Sequence, residues 1–270
     1  MKHPTNLFTR ACLQTLLLSS LLFSSCKGID ENERLIFVQP PQVKRAVLIE
    51  DFTGQRCINC PNAALEIEKL KEQYGETNII AVGIHSGPLA VYSRGAVVGL
   101  RTEEGDAYYE HWGITQEPMG YINRQGAIST VDRWATLVRN VLQTSSDMTL
   151  TLEAFCDSLE RKVDFVLQVT NGVPVDGHVQ LWLTENDIPA LQMMPDGSAN
   201  TNYVHQHVFR KSVNGQWGDP YHAEAGDVDY LDYSCSIDEA WKPENMSVVA
   251  FVYNETGVLQ VVEAPLVFIE

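Results

Sequence analysis

Basic residues are scarce in this chain of 270 residues: 19 lysines and arginines stand against 35 aspartates and glutamates, a formal charge of −16. So acidic a body repels phosphate backbones and anionic head groups, which excludes nucleic acid and polyanions as partners. Cysteine is sparse too, six in all, and only one Cys-x-x-Cys occurs. A zinc site takes about four ligands, so half of the usual set is missing, and neither a metal nor a cofactor is expected. Long apolar runs are also lacking. The stretch Leu13 to Phe23 falls short of the about 20 residues that a membrane-spanning helix needs. At 44% apolar the composition is nevertheless ample for two packed domains.

That short apolar stretch follows Lys2 and Arg10, the pattern of an export signal. It ends Leu22-Phe23-Ser24-Ser25-Cys26, which resembles the lipobox of bacterial lipoproteins, with Phe23 where leucine is commoner. The resemblance implies removal of residues 1–25 and acylation of Cys26, hence a membrane contact through the N-terminal lipid. An ordinary soluble secretory signal is the alternative. Lys27 at the second position and the acidic Asp30, Glu31 and Glu33 resemble the sorting and surface-export signals of Bacteroidota lipoproteins. Residues 26–44, with Pro40-Pro41 inside, read as a tether.

The pair Cys57-Ile58-Asn59-Cys60 stands between the apolar run Ala46-Val47-Leu48-Ile49 and a helical pattern. A strand that delivers Cys-x-x-Cys to the first turn of a helix is the thioredoxin arrangement. Unpaired N–H groups and the positive end of the helix dipole favour a thiolate there. Cys57 is then the attacking sulfur and Cys60 the resolving one. A structural disulfide is the competing reading of the same pair.

Alternation of strands and helices continues to residue 147. A strand at 45–52 precedes a helix at 60–74 with Leu65, Ile67 and Leu70 inward and Gly75 as its stop, and Ile79 to Ile84 forms a second strand. A helix over 102–112 follows, and a last helix carries Val131, Trp134, Val138 and Val141 on one side. The segment Gly113-Ile114-Thr115-Gln116-Glu117-Pro118 resembles the thioredoxin stretch that ends in a cis-proline, which makes Pro118 a site residue. Asp51, six positions before Cys57, matches the buried carboxylate that exchanges a proton with the resolving thiol. Glu50 takes that place if the register slips by one. Arg56 lowers the Cys57 pKa and Glu117 raises it if it points inward, while His85 at a strand end reads as a structural or proton-relay group. Ile58-Asn59 fits neither the common thioredoxin nor the common oxidase dipeptide, so the redox direction stays open.

From about residue 148 the hydrophobic period becomes two. Seven runs between 148 and 264, separated by Gly, Pro, Asn and Asp, suggest an all-β immunoglobulin-like sandwich over 148–270, following an α/β thioredoxin-like domain over 45–147. Cys156 and Cys235 fall in or beside two of these strands, and an exported chain permits them to pair, though two buried thiols fit equally well. His205 and His207 are placed on one face of a strand at 203–213, a spacing that can hold a metal but is commoner in hydrogen-bonded pairs.

Over nearly the whole mature chain the sequence resembles the twenty-eight-kilodalton outer-membrane lipoproteins of Bacteroidota. The resemblance runs through Glu50-Asp51-Phe52-Thr53-Gly54-Gln55, the cysteine pair, Val82-Gly83-Ile84-His85, Gly105-Asp106-Ala107-Tyr108-Tyr109, Val213-Asn214-Gly215 and Val249-Ala250-Phe251-Val252-Tyr253. It implies an outer-membrane location, on the periplasmic or the cell-surface face. Two functions follow from it: thiol-disulfide exchange on exported disulfide-containing proteins, or an adhesin-like module that binds surface ligands and keeps Cys57 and Cys60 bridged.

Overall fold

A computed structural model describes residues 43–269. The expected signal segment, the acylated Cys26 and most of the tether lie outside the described residues. Among the described residues no helix is long and apolar enough to cross a membrane.

In chain order the elements are β1 (Val43–Lys44), β2 (Val47–Thr53), α1 (Cys60–Tyr74), β3 (Ile79–His85), α2 (Glu103–His111), β4 (Met119–Ile122), α3 (Val131–Leu142) and β5 (Ser145–Ser146). They continue with β6 (Met148–Asp157), β7 (Lys162–Asn171), β8 (Val175–Glu185), β9 (Ile188–Met193), β10 (Ala199–His205) and β11 (Val208–Ser212). The last are β12 (Asp219–Ala223), β13 (Val228–Ser236), β14 (Met246–Asn254), β15 (Gly257–Pro265) and β16 (Val267–Ile269). The fold is rich in strands, with three α-helices and one short 3-10 helix, Pro243–Asn245, among the described residues.

Each early element ends where its sequence dictates. Gly75, at φ +96°, closes α1 by donating its N–H to the Lys71 carbonyl. Thr102 caps α2 by accepting from the Gly105 N–H, with Glu103, Glu104 and Asp106 in the first turn where the dipole favours them. Along α1 the buried stripe is Cys60, Ala63, Ile67 and Leu70, whereas Leu65, expected inward, is exposed. It lies about 160° round the helix from Ile67 at the 3.6-residue period, so the two cannot share a face.

The main sheet has eight strands in the order β15-β14-β8-β11-β3-β2-β4, with β12 also paired to β8. The two separate domains expected over 45–147 and 148–270 are therefore joined. Strand β11 belongs to the second stretch yet pairs in parallel with β3 at Val208 and Gly83, and antiparallel with β8. A free-standing immunoglobulin-like sandwich gives way to a second sheet, β13-β7-β6-β16, that faces only the β8 and β14 end of the main one. The run expected as one strand over 203–213 is broken at His207, whose φ is +43°. Val43 and Lys44, expected in the tether, pair with Ser146 and Ser145.

Alternation along β2 sorts two cores. Val47 and Ile49 face α1 and α3, meeting Ile67, Leu70, Trp134 and Val138. Leu48 and Phe52 face the other way, onto Tyr108, Trp182, Phe209 and Phe251. On that second side the main sheet curls until its ends meet: Val258 of β15 donates to the Asn123 carbonyl at 2.8 Å, and Asn123 Nδ2 returns a bond to Val258 O at 2.7 Å. Curling of this kind satisfies edge groups that would otherwise be left for other chains.

Candidate functional site

Strand β2 and the first turn of α1 together carry the cysteine pair. Cys57 and Cys60 are bridged, with their α carbons 5.4 Å apart. Gly54 in the preceding turn is held tightly, since a Cβ there would meet Glu117 Oε2 at 2.5 Å and the Leu89 carbonyl carbon at 2.6 Å. Only glycine lets the loop approach so closely.

Two carboxyls flank the bridge. Asp51 is 4% exposed, and its Oδ1 is buried without a hydrogen-bond partner. Burial pushes its pKa up to about 8, so it is protonated at neutral pH. Glu117, followed by Pro118 across a cis peptide bond, points inward: an oxygen of its carboxylate and the two sulfurs lie within 4.8 Å of one another. Both of its oxygens are buried and unpaired, and burial, then the proximity of Asp51, raises its pKa to about 8. The same three residues are close enough to hold a metal ion, but bridged sulfurs offer no thiolate ligand. Arg56 is exposed to solvent.

Glu50 and Asp51 are both buried, on opposite faces of β2. Glu50 faces away from the cysteines and takes a two-pronged ion pair from Arg124, at 2.8 Å from Nη2 and 3.0 Å from Nε. Of the two alternative registers, the one observed turns Glu50 to Arg124 and Asp51 to the cavity that Cys60 also lines.

A cavity of about 430 Å³ opens beside Cys60 and Asp51. His85, His205 and His207 all line it. The His85 and His205 rings meet edge to face at 5.1 Å, and His85 Nδ1 is buried without a partner. Burial lowers all three pKa values, to about 4 for His205 and about 3 for His207, and that of His85 falls well below its ordinary range with help from His205 and Arg210. The three rings are therefore neutral at physiological pH. His205 and His207 share the cavity although the strand expected to align them is broken between them.

Sequence reasoning missed the hairpin β9–β10. Gln192 Nε2 donates to the Cys57 carbonyl at 2.8 Å, and the Met193 N–H donates to the Gln55 carbonyl at 2.8 Å. With the hairpin bonded to their loop, Cys57 and Cys60 are each only 3% exposed. The turn-rich Met194-Pro195-Asp196-Gly197 after the apolar Ala190-Leu191 was the only local signal, because the strand that follows it, Ala199-Asn200-Thr201-Asn202, is polar.

Cys156 and Cys235 do not pair; both are free thiols. The register explains why. Cys156 on β6 and Cys235 on β13 both lie opposite Val163 of β7, one on each side. Two strand spacings separate their α carbons by about 10 Å, beyond the limit of about 7 Å for a disulfide. Burial raises the pKa of both, to about 11 for Cys235, so they are inert thiols.

Residues 105–267 match the family described as outer membrane protein Omp28, a match that begins after the cysteine pair and spans more than half the chain. HBP35 of Porphyromonas gingivalis is similar in structure, with a TM-score of 0.65 and 16% identity over 83% of this chain and 76% of that one. The likeness extends to fold and no further. A domain of the outer membrane lipoprotein Omp28 from Porphyromonas gingivalis aligns at 20% identity over 46% of this chain and 90% of that one, with a TM-score of 0.33. No curated protein matches.

Proposed function

The chain belongs to the Omp28 family of outer membrane proteins, and on that premise we propose that it carries out thiol-disulfide exchange on exported proteins from a lipid anchor at Cys26. The observation that supports this reading most is the protonated, unpartnered Asp51, which lines one cavity with Cys60 of the bridged pair. A thioredoxin-like reading of 45–147 is supported by a strand, a Cys-x-x-Cys helix start, a second parallel strand and a cis Glu117–Pro118 bond whose Glu117 carboxylate lies near the sulfurs.

In the oxidising direction a substrate thiolate attacks Cys57 Sγ. The Cys57–Cys60 bond breaks, a mixed disulfide forms, and Cys60 leaves as a thiolate. Asp51 supplies the proton that this thiolate takes up. The substrate's second thiolate then attacks its own bridged sulfur, releasing Cys57 as a thiolate and the substrate with its disulfide closed. Two electrons pass to the cysteine pair, and run backwards the same steps reduce a substrate disulfide.

One observation favours a second reading, the surface-binding module with a structural bridge: both cysteines are buried under β9–β10. Redox titration in dithiothreitol buffers, with a Cys60→Ala variant to trap mixed disulfides, separates the two. Exchange predicts a measurable midpoint and covalent adducts with exported proteins through Cys57. A bridge that resists reduction until the protein unfolds, with no adducts, refutes it. Palmitate labelling of the wild type and not of Cys26→Ala tests the anchor separately.

A further inference from the structure

Glu117 reaches the cysteines from the loop ahead of β4, and both of its carboxylate oxygens are buried with no hydrogen-bond partner. Two glycines make its room. A Cβ on Gly54 would stand 2.5 Å from Oε2, and one on Gly87 would stand 3.0 Å from Oε1. Arg101, whose charge acts on Glu117, is ion-paired with Asp106 at 2.8 Å instead. Buried carboxylates are kept where a partner or a metal compensates their desolvation.

The groups within reach are the sulfurs. One Glu117 oxygen, Cys57 Sγ and Cys60 Sγ lie within 4.8 Å of one another. Donors around a tetrahedral zinc stand about 3.6–3.8 Å apart, given metal–sulfur distances of about 2.3 Å and metal–oxygen distances of about 2.0–2.2 Å. Once the bridge is opened, side-chain rotation parts the sulfurs to that spacing, and the oxygen closes by no more than about 1.2 Å. We propose that the reduced protein binds one divalent cation of the zinc class through Cys57 Sγ, Cys60 Sγ and the Glu117 carboxylate. Sequence spacing displays two of these ligands, and the fold brings the third.

Ligand type selects the metal. Two thiolates exclude calcium and magnesium, which take oxygen, and a carboxylate in the set disfavours copper(I). Zinc accepts sulfur and carboxylate alike, and three protein ligands leave its fourth position to water. Burial of the ligand atoms is no obstacle, because they enclose the ion between themselves, as closed zinc sites do. The way in is the cavity of about 430 Å³ that Cys60 lines.

Bridged sulfurs have no thiolate to offer, so binding follows the redox state. Each time the pair oxidises a substrate it becomes the dithiol. The two thiols and Glu117 then release their protons to solvent as the ion binds, and no electron moves. Bound zinc withholds both thiolates from further exchange. The inference rests on the exchange reading only for the supply of the dithiol form.

The test uses mature protein kept reduced from expression onward in a phosphine, stripped with a chelator and titrated with zinc or with cadmium, whose thiolate charge-transfer absorption reports binding. One ion per chain is expected for the reduced protein and none for the air-oxidised one. X-ray absorption of the zinc form should count two sulfurs. Glu117→Gln is expected to weaken binding by at least about tenfold, the loss that removing even an outer partner of a metal ligand brings. A Cys57→Ser, Cys60→Ser variant, which keeps Cys156, Cys235 and the three histidines of the cavity, is expected to bind none. The proposal is overturned if the reduced wild type binds no ion, if the oxidised protein or the double serine variant binds as well, or if Glu117→Gln binds unchanged. Zinc binding without covalent adducts to exported proteins refutes exchange alone, and adducts without zinc binding refute the metal site alone.

Discussion

Replacing Asp51 with asparagine tests the electrostatics of the cysteine site through stability alone. In the unfolded chain an aspartate ionises above about pH 4. In the folded protein Asp51 keeps its proton up to about pH 8 because burial disfavours the charge. Between those limits the native state binds more protons than the unfolded state, so stability falls as pH rises. A displacement of about four pH units corresponds at its ceiling to about 5 kcal/mol. Local relaxation and water entry leave a fraction of that, and about 2 kcal/mol is the working expectation. For a chain of this length such a loss lowers Tm by about 4–8 °C. The wild type should therefore lose ground to Asp51→Asn between pH 5 and pH 8, as followed by circular dichroism on the oxidised proteins. Glu117 works in the same direction: burial chiefly raises its pKa, and removing the neighbouring Asp51 relieves only the smaller, electrostatic part. The neutral His85, His205 and His207 destabilise only as the pH falls below their ordinary range, and they do so in both proteins. A difference in Tm that stays flat from pH 5 to 8.5 would refute the reasoning.

Three further outcomes are expected. Gln192→Ala removes the clamp on the Cys57 carbonyl; losing about 1 kcal/mol of hydrogen bonding should raise the open population, and hence the rate of reduction by dithiothreitol, about fivefold, whereas an unchanged rate means that the hairpin does not control access. Thiol titration of the unreduced, denatured mature protein should find Cys156 and Cys235 both free, and peptide mapping that recovers them linked would contradict the strand register. Arg124→Met strands Glu50 as a buried charge and should lower the unfolding free energy by about 3–5 kcal/mol in denaturant titrations, with Glu50→Gln in the same background recovering part of it; a loss below about 1 kcal/mol would show the pair to be worth no more than a surface one.

Much of the N-terminal half was readable from sequence because its signals are local. The bounds of α1 follow from a proline at its start and glycine at its end, and the parallel strands β2 and β3 are continuous apolar runs. The position of Asp51 relative to Cys57 is likewise fixed by strand alternation and the length of one turn. Period-two patterning also located β6, β7, β8, β13, β14 and β15.

Which strand edges pair is another matter, because alternation fixes the face of a side chain and says nothing of its neighbour across the sheet. Only the tertiary structure set β11 beside β3, laid β9–β10 over the cysteines, and put Val163 between Cys156 and Cys235. The same holds for the buried ion pair between Glu50 and Arg124, whose partners stand 74 positions apart in the chain. Short-range pattern determined the elements and the chemistry each carries; long-range closure, which no local spacing encodes, decided what that chemistry faces.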